Sequence, residues 1–272
     1  MTQGHDGDPV RAHFRREADY WSSIYEDESD PAGTVYRQRL ERMLAYVDRL
    51  GIEPAAPVAD VGAGAGLASV ALAARGHRVL AVDSTRRMLD LTQARADHAG
   101  VTVELVEADA AELPLEPASV DLVVALGLLP WITEPERILA EFRRVLRPGG
   151  GLIVTADNRW RATELADPSL SPLLAPLRRF VVRPLRRYRG RLPAGLEPRR
   201  HSVRALDRLL REARFDVVEV STVGYSPLSF RRRALRGGAA TALERLLAAN
   251  ASKPVLRRGG VHVVAAARLA RP

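Results

Sequence analysis

Three glycines and an acid lie close together early in the chain, in the stretch Asp60-Val-Gly62-Ala-Gly64-Ala-Gly66. They follow the apolar run at 58–61, which predicts a buried strand. Glycine lets the backbone turn tightly after such a strand and approach a ligand closely, beside a helix N-terminus that favours anionic groups. The carboxylate of Asp60 favours a cationic group and would repel a pyrophosphate. The motif predicts a crevice for a ligand with a cationic group.

Two further acids follow the next two predicted strands. Asp83 stands 21 residues after Gly62, at the position where a carboxylate can accept hydrogen bonds from ribose hydroxyls. Asp109 follows the third strand in the stretch Ala108-Asp-Ala-Ala-Glu-Leu-Pro114. Together the three acids predict one crevice that holds an adenosine with a cationic tail.

A dinucleotide site is the first alternative for this glycine-rich turn. Its fingerprint, G-x-G-x-x-G, needs a glycine five residues after Gly62, where this chain has Leu67. Because ribose recognition fits NAD as well as other nucleosides, Asp83 does not separate the two ligands. An NAD-dependent Rossmann oxidoreductase therefore stays open as the less favoured function.

The elements that position these residues are short apolar runs that alternate with amphipathic helices. This alternation predicts an α/β fold, a doubly wound parallel sheet covered by helices on both faces. The predicted strands are 58–61, 78–82, 101–106, 120–126, 152–155, 215–223 and 261–267, and the predicted helices include 67–75, 86–99, 134–146 and 203–214.

The remaining segments predict a cap and two insertions. Residues 1–50 are expected to form an N-terminal helical cap with an apolar stripe through Tyr20 and Trp21, and residues 51–272 the α/β domain. Insertions are predicted after strand five, at about 158–200, and after strand six, at about 224–260. The first holds most of the arginines between Arg178 and Arg214.

Four stretches resemble, in order and spacing, the motifs of the class I S-adenosylmethionine-dependent methyltransferases. They are Asp60–Gly66, Val82–Leu89, Ala108–Pro114 and Glu141–Gly150. The resemblance, to small-molecule enzymes of type 11, implies a seven-stranded Rossmann-like methyltransferase sheet over residues 51–272. It also implies S-adenosylmethionine as the cofactor and methylation of a small-molecule acceptor, at oxygen in preference to nitrogen or carbon.

The resemblance further implies which residues contact the cofactor. Asp83 would bind the ribose, Met88 would pack on the adenine, and Asp109 would accept from its exocyclic amine. The Tyr20-Trp21 stripe is similar to the helix that closes over the cofactor in these enzymes. The full set of implied contacts is Tyr20, Trp21, Asp60, Gly62, Ala63, Gly64, Gly66, Asp83, Ser84, Met88, Asp109, Ala110, Leu126 and Gly127.

The acceptor side is predicted to be apolar and metal-free. The stretch Leu126-Gly-Leu-Leu-Pro-Trp131 lacks the polar residue of amino-methylating enzymes and fits a hydrophobic small molecule. It also lacks the acid that would join Asp157 and Asn158 in a metal site, so no metal is expected. A general base is optional for methyl transfer, but an alcohol or carbon acid needs more help than a carboxylate or amine does, and His13 and His201 are the candidates for that role.

Composition and charge bound the remaining alternatives. The chain has no cysteine, so thiolate metal sites and cysteine nucleophiles are excluded. Between Arg178 and Arg214, 13 arginines face three acids, a surplus of 10, so the rest carries −2 of the total +8. This cluster suits an acidic or carrier-bound acceptor. It also keeps open an RNA-directed or non-catalytic adenosyl-binding module, or contact with a membrane surface, as less favoured partners.

Neither a signal peptide nor an apolar run of about 18 residues is visible in the sequence, and this pattern predicts a cytoplasmic protein.

Overall fold

The computed structural model describes residues 9–26, 31–164, 197–225, 229–230, 233–234, 238–250, 253 and 256–270. The predicted α/β class is confirmed, with one large sheet between two layers of helices. Residues 178–196 of the arginine cluster, most of the first predicted insertion and parts of the second lie outside the described residues. The insertions therefore stay predictions. No helix within the described ranges is long and apolar enough to cross a membrane.

The main sheet has the strand order β3-β2-β1-β4-β5-β10-β7, and β6 pairs with the end of β5. A separate hairpin is formed by β8 and β9. The strands are β1 Pro57–Val61, β2 Arg78–Asp83, β3 Glu104–Glu107, β4 Val120–Ala125, β5 Leu146–Asn158, β6 Arg200–His201, β7 Phe215–Val223, β8 Ser229–Phe230, β9 Arg233–Ala234 and β10 His262–Leu269.

The sheet is mostly parallel, as predicted, and β10 is the exception, because it runs antiparallel to both β5 and β7. His262 pairs with Val223, so the chain re-enters the sheet at the same edge where β7 left it. Since the chain does not cross back to the opposite edge of the sheet before β10 begins, β10 must run antiparallel to β7. As a result, β10 brings its first residue, and not its last, to the carboxyl edge of the sheet.

Helices cover both faces of the sheet. On one face α3, α4 and α5 pack against the strands, and on the other α6 and α7 do so. Their apolar stripes meet central strands that are apolar on both sides, as in β4. The helices are α1 Pro9–Arg16, α2 Ala18–Glu26, α3 Pro31–Arg49, α4 Leu67–Ala74, α5 Arg86–Ala99, α6 Pro135–Val145, α7 Val203–Glu212 and α8 Gly238–Ala249.

The N-terminal segment, predicted as a cap over residues 1–50, has two parts in the structure. α1 and α2 are separate helices with a break at Glu17, and the predicted stripe through Tyr20 and Trp21 lies on α2. α3 instead lies in the core, because Met43, Val47 and Leu50 are fully buried. Tyr46 adds a hydrogen bond from its hydroxyl to Ser221 Oγ, 2.7 Å away in β7.

Gly66 fixes the turn between β1 and α4. Its φ is +78°, and a Cβ there would lie 2.7 Å from Thr92 Cγ2 and 2.9 Å from the Thr92 Cα. We expect Gly66→Ala to lower the free energy of unfolding by about 2–4 kcal/mol, since it adds left-handed strain to a backbone clash. Urea unfolding followed by circular dichroism measures the change.

Gly76→Ala is the matched control, because Gly76 also has a positive φ of +86° but has no atom within 4 Å of its Cβ position. Gly76→Ala should lower the free energy of unfolding by only about 1–2 kcal/mol, the cost of the left-handed conformation. Equal losses in the two variants would show that the packing of the glycine turn on α5 does not matter.

Candidate active site

A pocket of about 730 Å³ opens at the carboxyl edge of β1, β2 and β4. Its volume lies in the range of small-molecule sites. Twelve of the residues proposed from the sequence line it: Trp21, Asp60, Gly62, Ala63, Gly64, Asp83, Ser84, Met88, Asp109, Ala110, Leu126 and Gly127.

Four of the proposed residues lie outside the lining of this pocket. Gly66 is turned away from it and packs against Thr92. Tyr20 is 41% exposed on the outer side of α2. His13 is buried beside Trp131, with ring centroids 6.0 Å apart, and His201 is half-buried on β6.

The glycine turn supplies backbone groups at the centre of the pocket. Gly62 and Gly64 have φ values of +71° and +57°. Thr92 Oγ1 donates to the Gly64 carbonyl at 2.8 Å and ties the turn to α5. A Cβ at Gly62 would lie 3.2 Å from Leu128 Cδ1, so this floor has little room for a side chain.

Asp83 is held rigidly at the end of β2. Its Oδ2 accepts the Gly64 N–H and its Oδ1 accepts the Thr85 N–H, both at 2.9 Å. Burial raises the pKa of this carboxyl, although the two backbone donors oppose the shift. Each oxygen keeps a second lone pair, which a ligand hydroxyl can use.

Asp60 lies beneath the glycine turn and is only 1% exposed. Ser69 Oγ donates to its Oδ2 at 2.6 Å. Burial raises the pKa of Asp60 to about 6, and the nearby Asp83 carboxylate adds to the rise. A buried carboxylate without a cationic partner within ion-pair distance is costly, and a cationic ligand group would remove that cost.

Asp109 lies at the rim of the same pocket, after β3. It is exposed, and its Oδ1 accepts the Ala111 N–H at 2.8 Å. Met88, buried in α5, contributes an apolar wall below it.

Arg39 is a pocket residue that the sequence reasoning missed. It is 7% exposed, and its Nε has no hydrogen-bond partner within the described residues. The guanidinium stacks on the Tyr36 ring at 4.7 Å, and Nη1 lies 3.0 Å from the Cβ position of Gly127. The sequence did contain a signal for this residue. Arg39 lies between Val35 and Met43 on the buried stripe of α3, and a charged side chain is rarely buried there unless it is paired.

His262 and Asp157 form a pair in the pocket wall that the sequence reasoning also missed. His262 begins β10 opposite Asp157 near the end of β5, and its Nδ1 lies 3.2 Å from Asp157 Oδ1. Burial lowers the pKa of His262, which opposes the pull of the aspartate. Burial alone raises the pKa of Asp157, but contacts with His262, Arg161 and Arg200 hold that pKa well below its usual range. The pair therefore combines a neutral imidazole with an ionised carboxylate.

Aromatic side chains from α1 and α2 close the outer side of the pocket. Phe14 packs edge-on to Trp131 at 5.1 Å and lies 5.8 Å from Trp21. The Trp21 indole Nε1 is buried without a partner among the described residues. An ion pair of 2.6 Å between Arg11 and Glu107 joins α1 to the end of β3, and another of 2.6 Å joins Arg87 to Asp19.

These groups fit a zwitterion attached to a nucleoside. Asp60 offers a buried acceptor for an ammonium group, Arg39 a buried donor set for a carboxylate, and Asp83 acceptors for vicinal hydroxyls. Across the described ranges, no group of three or more His, Cys, Asp or Glu side chains is placed to hold a metal ion.

Comparison with known families connects this geometry to methyl transfer. Residues 59–154 match the family described as a methyltransferase domain. A malonyl-[acyl-carrier protein] O-methyltransferase from Xylella fastidiosa is 37% identical over 115 residues, which cover 42% of this chain but only 39% of that relative. A ubiquinone biosynthesis O-methyltransferase from Burkholderia pseudomallei is 28% identical over 192 residues, which cover 69% of this chain and 76% of the relative.

A solved structure is similar over nearly the whole chain. Magnesium protoporphyrin IX methyltransferase from Synechocystis, with bound S-adenosylhomocysteine, aligns with a TM-score of 0.64 at 17% identity. The alignment covers 97% of this chain and 98% of that one, so the two share their fold.

The buried carboxylate of Asp60 should destabilise the ligand-free protein. Because its pKa in the fold is about 6, against 3.8 for the unfolded chain, ionisation costs folding free energy as pH rises from about 4 to about 6. We expect Asp60→Asn to raise the free energy of unfolding by about 2–3 kcal/mol at about pH 8, with the gain vanishing near pH 4. Urea unfolding at both pH values measures it.

Asp109→Asn is the control, since that carboxylate is exposed and the amide oxygen can still accept the Ala111 N–H. A gain for Asp60→Asn that is as large near pH 4 as near pH 8 would contradict the burial of a charge.

Proposed function

We propose that this chain, a class I S-adenosylmethionine-dependent methyltransferase, transfers the sulfonium methyl group to an oxygen of a small-molecule acceptor. The observation that carries the proposal is one pocket with receptors for a cation, an anion and vicinal hydroxyls around a glycine turn. This combination suits a methionine zwitterion joined to adenosine. It does not suit a pyrophosphate, which the carboxylate of Asp60 would repel, and so it disfavours NAD.

The cofactor-binding residues fall into two groups in this proposal. Asp83 receives the ribose hydroxyls, while Met88, Asp109 and the Ala110 N–H surround the adenine. Around the methionine end, the backbone of the glycine turn and Ala63, with Asp60, receive the ammonium side. Arg39 receives the carboxylate, and Leu126 and Gly127 face the sulfur.

The bound cofactor supplies an electrophilic methyl group, so the chain's main task is to align the acceptor oxygen and exclude water. The apolar side chains after β4, among them Leu128, Pro130 and Trp131, line the acceptor side. The aromatic cluster of Phe14 and Trp21 covers the pocket from outside. This environment favours an acceptor with a hydrophobic body.

The relatives support oxygen as the methylated atom, since two of them are named O-methyltransferases. One name specifies a carrier-bound acceptor and the other a biosynthetic step of ubiquinone. We infer a small-molecule acceptor, either free or presented on a carrier. Arg199 lines the pocket at its exposed rim and, among the described residues of the arginine cluster, is placed to meet the acceptor.

Isothermal titration should show micromolar binding of S-adenosylmethionine and of S-adenosylhomocysteine, lost in Asp83→Ala. Asp90→Ala is the control, because Asp90 is exposed and pairs only with Arg86 on the same helix. Thermal unfolding verifies that both variants fold. If neither compound binds and NAD does, the oxidoreductase alternative is correct.

Arg39→Gln should weaken S-adenosylhomocysteine binding by about 10–100-fold, the value of a hydrogen-bonded charge. Methylthioadenosine lacks the amino-acid end, so Arg39→Gln should change its affinity by less than about twofold. A change of that size is under about 0.5 kcal/mol, the difference expected between independent sites. A parallel loss for both compounds would place Arg39 outside the methionine subsite.

A further inference from the structure

We propose that His262 is the general base that takes the proton from a hydroxyl group of the acceptor, and that Asp157 orients its imidazole. The inference rests on the proposed methyltransferase function and adds the chemical class of the acceptor. That class is a hydroxyl compound, such as a phenol or enol, whose oxygen holds a proton at neutral pH.

The position of His262 supports the role. Both His262 and Asp157 line the pocket, at the carboxyl edge of β5 and next to the loop that follows β4. The His262 ring lies 5.8 Å from the Tyr36 ring, whose face carries the Arg39 guanidinium, and Arg39 Nη1 lies 3.0 Å from the Cβ position of Gly127. These contacts place the imidazole on the side of the pocket where the methyl group is presented.

The orientation of the imidazole leaves one nitrogen for catalysis. Nδ1 lies 3.2 Å from Asp157 Oδ1, and the nearby carboxylate favours a proton on this nitrogen. Within the described residues, no hydrogen bond engages Nε2. An imidazole in this tautomer has its free lone pair on Nε2, as a general base requires.

The charges around His262 keep it ready to accept a proton. From α3 it faces Tyr36 and the cationic Arg39, and from β5 the carboxylate of Asp157. Arg161 and Arg200, which both act on Asp157, fix that carboxylate in its ionised form; Arg161 Nη2 lies 2.7 Å from its Oδ2. His262 is 8% exposed, and its lowered pKa leaves it neutral at pH 7.

The proposed step balances without any further reactant. The acceptor oxygen forms a bond to the methyl carbon while the carbon–sulfur bond breaks and its electron pair stays on sulfur. The hydroxyl proton moves to His262 Nε2, giving an imidazolium that the Asp157 carboxylate stabilises. After the methylated acceptor leaves, the imidazolium returns its proton to water.

Other acids and bases of the pocket serve this step less well. Asp60 lies beneath the glycine turn and is engaged by Ser69. His13 and His201, suggested from the sequence, do not line the pocket.

The kinetic test uses two hydroxyl probes that differ in acidity, with tritiated S-adenosylmethionine as the methyl donor. Phenol keeps its proton at about pH 8, whereas 4-nitrophenol is largely ionised there. His262→Asn should slow transfer to phenol by about 10²–10³-fold but transfer to 4-nitrophenol by less than about tenfold, because only phenol needs the base. His98→Asn, on the exposed side of α5, should change neither rate.

A second measurement does not depend on the acceptor. Nitrogen NMR of the protein bound to S-adenosylhomocysteine should show that the His262 imidazole is neutral at pH 7 and protonated on Nδ1. The His262 signal is assigned by its absence from the spectrum of His262→Asn. In Asp157→Asn this tautomer preference should disappear. Titration calorimetry should give His262→Asn the same affinity for S-adenosylhomocysteine as the unchanged protein, within about twofold.

Several results would overturn the assignment. Equal slowing of both hydroxyl probes would give His262 a structural role only. So would an imidazole that is charged or protonated on Nε2 at pH 7. Methyl transfer to a carboxylate probe such as octanoate, unaffected by His262→Asn and without transfer to phenol, would exclude a hydroxyl acceptor. In contrast, a failure of S-adenosylhomocysteine to bind would defeat the proposed function itself.

Discussion

The central position of β1 in the sheet is the constraint on which the rest of the site depends. β2 and β4 flank β1, and the connections that lead to them run on opposite sides of the sheet. The chain therefore diverges at the carboxyl edge of β1, and a crevice opens there. Apart from Tyr20 and Gly66, the proposed cofactor contacts line this crevice. Hydrogen bonds from Gly64 and Thr85 to Asp83 then lock its shape.

The crevice is electrostatically expensive when no ligand fills it. Asp60 is a buried carboxylate, and Arg39 is a buried guanidinium whose Nε finds no partner in the described part of the chain. Neither makes an ion pair with the other, so each is left for a ligand group of opposite charge. A zwitterion would satisfy both at once. The same arrangement that makes the empty fold less stable makes the site selective.

The cofactor half of this site could be predicted from the sequence because its residues are local to strand ends. The glycine turn, Asp83 and Asp109 each follow an apolar run, and the order of the strands then brings them together. Arg39 escaped this reasoning because it lies inside a helix, on a stripe interpreted as core. His262 escaped it because apolar periodicity does not encode strand direction, so the first residue of a strand was placed at the wrong edge. Gly66 was assigned to the pocket because the spacing of glycines cannot show which one packs against Thr92.

The antiparallel course of β10 also separates the site in time. All residues proposed to hold the cofactor precede residue 128, whereas His262 lies 135 residues after Gly127. At the usual speed of translation that interval is on the order of ten seconds. The nascent chain therefore carries the cofactor-binding residues well before it carries the base. Competence for the proposed reaction is therefore the last property that synthesis confers.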